Sequence, residues 1–316
     1  MLDALRARVH RLLFAPRSSW PIAIARVVLG VGILGWTVTM MFDVSTFLTG
    51  DGLVGPEFAS DTWRWFALES TTAVWLALVA LVVCAVAVVV GFRPTVFLLA
   101  TFVLLVAVQR RSPPILNSGD VVLRDLALLL AFTPSGAALS IDRWRRHGRE
   151  ALRSAPLVAP WGMRLVQLQM MLVYFIAFWG KSGELWRDGT AVSTAFRLDD
   201  LQRFTPFDVL VGNTTVVALL TWGTLAVELA LATLLWNRRL RPVLIVLGVV
   251  LHVLIDTFVL VGFFGIAMIA GLMTFLDGDR IERRLARRTP DDPVGVHPVP
   301  DAPTPRSSGP AIPRSA

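Results

Sequence analysis

Long apolar stretches alternate with short polar segments along most of the chain, and this pattern predicts helices that cross a membrane. A helix needs roughly 20 apolar residues to span the hydrocarbon core of a bilayer. The first six apolar stretches, of which the fourth is the shortest, lie at residues 20–41, 72–91, 94–109, 120–133, 163–180 and 214–236. We expect one helix for each of them.

A seventh apolar block, residues 241–276, is too long for a single crossing. Its 36 residues would form a helix of roughly 54 Å, well beyond one bilayer thickness. Basic residues favour the cytoplasmic side of a membrane. If the basic N-terminal segment is cytoplasmic, the number of crossings decides on which side each later segment lies. The arginines after the block are also cytoplasmic only if the block crosses the membrane twice. We therefore predict a break near residues 257–262.

The predicted architecture is an all-α integral membrane bundle of about eight transmembrane helices with both termini cytoplasmic. A basic cytoplasmic segment at residues 1–19 precedes the transmembrane domain at 20–277. The cytoplasmic tail at 278–316 is basic and then Pro-rich, which predicts disorder. In this topology Arg110 and Arg111 lie on the extracytoplasmic side, against the preference of basic residues for the cytoplasmic side. We expect a multi-pass protein of the plasma membrane with the lipid bilayer as its first partner.

The composition agrees with a membrane protein. Hydrophobic residues make up 55% and charged residues only 17%, whereas a soluble domain carries about a quarter charged residues. The net charge of +7 comes from arginines in short connecting segments, which favours a positive-inside topology over nucleic-acid binding. The single cysteine, Cys84, excludes an internal disulfide, and no cluster of metal ligands is evident.

The most informative residue is Lys181, the one lysine among 30 basic residues that are otherwise arginine. Tyr174, the one tyrosine, lies seven residues earlier, and Gln167 lies seven before that. Seven residues are about two helical turns, so the three side chains should form a polar seam on one face. A lysine in a dry pocket can be neutral and act as a general base. The alternative is a lysine at a helix end that extends to the lipid headgroups.

His252 is the one histidine within a predicted span, and Asp256 follows one turn later. At this spacing a carboxylate can orient an imidazole or hold its proton. The alternative is a histidine that is bonded to a neighbouring helix and serves the bundle alone.

Two further pairs of opposite charge fall within predicted spans. Asp120 and Arg124 are one turn apart, which suggests a structural ion pair. Arg26 and Glu228 have the same predicted depth, a few turns from the cytoplasmic surface. Because charges in hydrocarbon usually have partners, we interpret Arg26 and Glu228 as an intramembrane salt bridge of structural importance.

The segment around Lys181 resembles the signature of a known family. The similarity lies in residues 173–177, Lys181, Trp186 and Gly189. Weaker similarity continues at residues 48–53, 128–132, Glu228, His252 and 258–264, so that it covers about residues 18–277. The chain resembles the vitamin K-dependent gamma-carboxylase-like family, whose bacterial relatives are called HTTM (horizontally transferred transmembrane) domain proteins.

The resemblance implies enzymatic chemistry with a quinol as cofactor. In the carboxylases a membrane-embedded lysine deprotonates vitamin K hydroquinone, and oxygenation of the quinol then drives proton abstraction from glutamate and addition of CO2. Lys181 matches that lysine. The catalytic residues expected on this basis are Lys181, His252 and Tyr174. The expected quinol-binding residues are Gln167, Trp186 and Asp256.

Two departures from the carboxylases keep a second function open. Those enzymes have a second functional histidine after an asparagine just before the fourth span, whereas Asn117 is followed here by Ser118. They also carry a large lumenal region that binds the substrate peptide, and this sequence has no counterpart after its last span. The alternative is a non-catalytic membrane module for maturation or export of a secreted peptide or protein partner. A small-molecule transporter is a weaker third hypothesis, because no inverted repeat is evident.

Overall fold

The computed structural model describes residues 2–53, 68–152 and 154–287, and most of these residues are helical. The helices are α1 Leu2–Phe14, α2 Trp20–Phe42, α3 Val44–Phe47, α4 Thr71–Val90, α5 Pro94–Arg111, α6 Ser118–Ala131, α7 Ile141–His147, α8 Trp161–Gly180, α9 Glu184–Arg187, α10 Ala191–Phe196, α11 Asp208–Gly212, α12 Thr214–Leu234, α13 Arg241–Phe258, α14 Phe264–Met273 and α15 Gly278–Arg287. Two short strands, β1 Arg17–Ser18 and β2 Leu157–Val158, pair antiparallel.

Among the described residues, six helices are long and apolar enough to cross a membrane: α2, α4, α5, α8, α12 and α13. The fourth predicted span forms α6, which has only 14 residues, and α14 has only 10. The helical membrane bundle is therefore confirmed. The count of eight crossings stays a prediction, because α6 and α14 are shorter than a bilayer is thick.

Local signals explain where several helices begin and end. Ser70 caps α4 by accepting a hydrogen bond from the backbone N–H of Ala73. At the other end of α4, Gly91 adopts a left-handed conformation (φ 73°) that glycine reaches without strain. Pro94 then opens α5, so that α4 and α5 form a tight hairpin. Between α13 and α14 the chain turns at Gly262 (φ 64°), which confirms the break predicted inside the last apolar block.

The core forms where the apolar faces of the long helices meet. Helix α2 packs against α4, α6 and α14, and α5 joins α4 to α6. On the other side, α8 packs against α12, and α13 lies between α12 and α14. Fully buried side chains such as Leu29, Leu123, Val166 and Leu231 fill the space between these helices. The same helices also carry exposed Leu, Val and Phe residues on their outward faces, as expected of a surface that faces lipid.

Helices α1 and α15, the described helices nearest to the two termini, lie at the same end of the bundle. The carbonyl of Leu12 in α1 accepts a hydrogen bond from Arg164 in α8, and the carboxylate of Glu282 in α15 accepts one from the backbone N–H of Ala155. We call this end, which also holds α7 and the α12–α13 turn, the arginine-rich end. The opposite end holds α9, α10 and α11. The cytoplasmic orientation of the arginine-rich end stays a prediction.

The predicted salt bridge between Arg26 and Glu228 is wrong. Arg26 is fully buried and donates hydrogen bonds to the carbonyls of Val88 at the end of α4 and Leu139 in the connection between α6 and α7, at 2.6 and 2.5 Å. A carbonyl in the last turn of a helix, such as that of Val88, lacks the usual donor four residues later, so an arginine can add a hydrogen bond to it. The guanidinium group therefore links α2 to the end of α4. Glu228 pairs with a different residue.

The predicted pairing of Asp120 with Arg124 is also wrong. Asp120 accepts a hydrogen bond from Trp36 Nε1 at 2.7 Å and closes the N-terminal cap of α6 with Asn117. Arg124 instead contacts Asp125 at 3.4 Å and Gln109 at 3.1 Å. Both carboxylate oxygens of Asp120 thus already accept hydrogen bonds, one from Trp36 and one in the capping box.

Two parts of the sequence prediction lie outside the described residues. They are residues 288–316 of the tail, for which the sequence predicts disorder, and residues 54–67 of the connection between the first two predicted spans.

Close backbone contact between α6 and α14 generates a test of the packing. A Cβ at Gly119 would lie 2.7 Å from both the Cα and the N of Phe264, so a side chain there requires the two backbones to separate. We expect Gly119→Ala to destabilise the protein by about 1–3 kcal/mol, measured by thermal unfolding in detergent followed by tryptophan fluorescence. The matched control is Gly223→Ala in α12, where nothing lies within 4 Å of the added Cβ. It should be neutral or stabilising by up to about 1 kcal/mol. Equal melting temperatures for the two variants would contradict the close contact.

Candidate functional site

Lys181 stands at the C-terminal end of α8 and forms an ion pair with Glu228 of α12. Its Nζ lies 2.8 and 2.9 Å from the two carboxylate oxygens and 3.2 Å from the carbonyl of Ala177. The Lys181 side chain is 24% exposed and that of Glu228 only 8%. Each of the three ammonium hydrogens thus has a protein acceptor, and the amine points neither into bulk solvent nor freely towards headgroups.

The position of Glu228 follows from how α8 and α12 align. The second half of α12 and the turn after it run along α8, where Trp236 contacts Met171. The first half of α12 continues beyond the end of α8, and α9 and α10 cover it: Trp222 donates to the carbonyl of Trp186, and Thr221 accepts from the N–H of Val192. A residue in the second half of α12 therefore meets the end of α8.

Tyr174 and His252 form a second buried polar pair. The Tyr174 hydroxyl lies 2.8 Å from His252 Nε2, and the two side chains are 1% and 3% exposed. Phe264 of α14 contacts the imidazole edge to face, with ring centroids 5.5 Å apart. His252 Nδ1 is buried and has no hydrogen-bond partner in the part of the chain that the structure describes. Whichever tautomer forms, this nitrogen retains an unused donor or acceptor.

The two pairs are neighbours, and together we call them the Lys181 site: Lys181, Glu228, Tyr174 and His252. The charge of Glu228 acts on Tyr174, and the charge of Lys181 acts on His252. The site therefore brings α8, α12 and α13 together around four polar side chains in an otherwise apolar region.

Trp186, which the sequence assigns to quinol binding, borders the Lys181 site. Its ring centroid lies 5.4 Å from the Lys181 Nζ, within the range of a cation–π interaction. Trp222 of α12 donates a hydrogen bond to the Trp186 carbonyl, and this bond holds α9, and with it the indole, against α12.

Gln167 and Asp256 lie away from the four residues. Gln167 donates to the carbonyl of Thr274 at 2.7 Å and accepts from Arg164 at 2.7 Å, in a cavity at the arginine-rich end. It is about 10 Å along the helix from Tyr174, since each residue adds 1.5 Å. Asp256 does not bond His252; its carboxylate accepts the backbone N–H of Gly265 in the first turn of α14. Gln167 and Tyr174 are both buried on α8 at the predicted seven-residue spacing, but the predicted His252–Asp256 pair is not formed.

Glu228 is the site residue that sequence reasoning assigned wrongly. It is the one acidic residue in α12, and its charge is opposite to that of Lys181. That complementarity could have identified the pair. The prediction instead paired Glu228 with Arg26, because the two residues have the same predicted depth below the cytoplasmic surface.

The fold and the buried polar site define a multi-pass α-helical membrane protein. A family model described as the HTTM domain matches residues 14–279. The chain belongs to the HTTM domain family. Neither a curated protein nor a solved structure matches it.

The ion pair generates a test by double-mutant cycle. Glu228→Leu leaves the Lys181 ammonium without its carboxylate, so we expect a loss of stability on the order of 3 kcal/mol. Lys181→Met/Glu228→Leu replaces the pair with apolar groups of similar length and should restore most of the stability, because neither charge is then buried. Thermal unfolding of the detergent-solubilised variants measures both effects. Additive losses in the double variant would show that the two residues do not interact.

Proposed function

We propose that this protein is a membrane enzyme in which the Lys181 site removes a proton from the hydroxyl group of a quinol-type substrate. The observation that carries the proposal is the placement of a partly buried ion pair beside a buried tyrosine–histidine pair, close enough for the charges of Glu228 and Lys181 to act on Tyr174 and His252. Ionisable side chains inside a membrane domain are costly and are usually retained for function. The Lys181 site holds four such side chains, which is more than the association of the helices requires.

The proton balance of the ion pair supports this chemistry. With an ammonium and a carboxylate, the pair holds one proton fewer than it can bind. A substrate hydroxyl can transfer its proton to the carboxylate while the ammonium stabilises the resulting oxyanion. Alternatively, Lys181 first gives a proton to Glu228 and then accepts the substrate proton as a neutral amine. The net change is the same, so the expected role of Lys181 as base becomes a role of the Lys181–Glu228 pair.

The residues present fit a quinol ring. The Trp186 indole offers an aromatic surface beside the amine, and the 24% exposure of Lys181 leaves part of its side chain open to a ligand. The unsatisfied His252 Nδ1 offers a polar contact for a second oxygen. A quinol would supply an acidic hydroxyl and two reducing electrons. Tyr174 and His252 would orient the hydrogen bonds of the site, since each fixes the hydroxyl or imidazole of the other.

The test is oxidation of a naphthohydroquinone by the purified protein, measured as oxygen uptake above a protein-free control. We expect Lys181→Ala and Lys181→Met/Glu228→Leu each to reduce the rate by about a hundredfold or more. The double variant separates chemistry from folding, because its stability should remain close to that of the wild type.

The matched control is Arg124→Met/Asp125→Leu, which removes a second ion pair, with side chains 21% and 35% exposed. It should oxidise the quinol at the wild-type rate. Equal rates for the wild type and for the folded Lys181→Met/Glu228→Leu variant would refute the proposed chemistry.

A non-catalytic module for a secreted peptide or protein is the second candidate. The observation in its favour is that protein acceptors already bind all three ammonium hydrogens, as in a purely structural ion pair. Ser118, in place of the second carboxylase histidine, points the same way. Co-purification of one specific secreted partner, unchanged in Lys181→Arg, together with no quinol oxidation, would favour this candidate over the enzyme.

A further inference from the structure

A second polar feature lies at the arginine-rich end, remote from the Lys181 site. It is a cavity of about 650 Å³ between β1, the first turns of α8, the α12–α13 turn and the α14–α15 turn. Seven arginines and two aspartates line it. We call it the arginine cavity and define it by Arg17, Arg164, Arg238 and Arg241. Gln167, which the sequence assigned to quinol binding, lies in this cavity.

The positive charges of the arginine cavity are only partly neutralised by the protein. Arg164 experiences the charges of Arg17, Arg238 and Arg241, all of the same sign. Asp277 pairs with Arg280 at 3.2 Å and attracts Arg241 weakly across the cavity. Within the described ranges, the exposed side chains of Arg17 and Arg238 have no hydrogen-bond or ion-pair partner. Like charges collected around an open space favour a bound anion.

Two of the guanidinium groups are held in place before any ligand binds. Arg164 donates to Gln167 Oε1 at 2.7 Å and stacks over the Trp236 ring at 4.9 Å. Arg241 donates to the carbonyls of Leu235 and Trp236 at 3.0 and 3.3 Å. Positioning of this kind reduces the entropy that ligand binding has to overcome. Planar guanidinium groups also match the geometry of phosphate oxygens.

The rest of the lining favours an amphiphilic ligand over a fully soluble one. Apolar residues line the arginine cavity beside the arginines: Leu12, Met163, Trp236, Ile245, Phe275 and Leu276. The cavity lies where the long apolar helices α8 and α13 begin, the level at which a bilayer surface is expected. The adjacent α1 exposes Leu5, Val9 and Phe14 together with several arginines, as interfacial helices do.

We propose that the arginine cavity binds the phosphate group of an anionic phospholipid, with Arg17, Arg164 and Arg238 as its ligands and the first carbons of the lipid against the apolar lining. This inference is independent of the chemistry at the Lys181 site. It assigns to the arginine-rich end a specific lipid site rather than a general attraction to a negative surface.

The test uses the full chain in nanodiscs that contain phosphatidylcholine with a small fraction of phosphatidylglycerol, followed by native mass spectrometry of the co-released lipids. We expect the wild type to retain phosphatidylglycerol about tenfold over phosphatidylcholine. Arg17→Gln/Arg238→Gln should abolish that selectivity; both side chains are exposed and bind no other part of the described chain, so the variant should fold. The control, Arg146→Gln/Arg149→Gln, removes two exposed charges at the same end of the bundle but outside the cavity. It should retain the selectivity for phosphatidylglycerol.

The other outcomes overturn the proposal. Equal retention of the two lipids by the wild type would exclude a site for anionic lipid. Equal loss of selectivity in both double variants would indicate a general surface charge effect. In a competition experiment, inorganic phosphate or glycerol 3-phosphate is added at millimolar concentration. Displacement of phosphatidylglycerol by either compound would identify the ligand as a soluble phosphate.

Discussion

The ion pair between Lys181 and Glu228 fixes how α8 and α12 meet, and the polar region of the bundle depends on that alignment. Neither charge is stable alone among apolar helices, so the two must come together. Their contact sets the end of α8 beside the second half of α12. The first half of α12 then has to pack against something else, and α9 and α10 fill that role. Trp186 reaches the amine because of this arrangement.

Much of the helical architecture could be predicted from the sequence, because the length of an apolar run and the turn residues at its ends are local signals. The tight turn at Gly91 and the break at Gly262 are examples, and both positions have positive φ. The importance of Lys181, Tyr174 and His252 was also visible, since each is a rare polar residue in an apolar stretch.

The partners of these residues could not be predicted in the same way. Whether Glu228 pairs with Arg26 or with Lys181 depends on the relative axial position of three helices, and apolar runs carry little information about it. Arg26 binds carbonyls at the end of α4, which no side-chain pattern reveals. Asp120 similarly serves the cap of α6 and Trp36 instead of Arg124. Backbone groups compete for polar side chains inside a membrane, where water is absent, and the sequence does not display that competition.

The shortness of α14 has a consequence for the shape of the protein. At 10 residues it extends about 15 Å, roughly half of a hydrocarbon layer. The residues directly after it, Thr274, Phe275 and Leu276, already line the arginine cavity. Helix α8 continues past this point, because Gln167 in its second turn bonds the Thr274 carbonyl, and the cavity lies where further turns of α14 would have been. The concavity is thus a product of helix length, and one more turn of α14 would occupy it with the protein's own side chains.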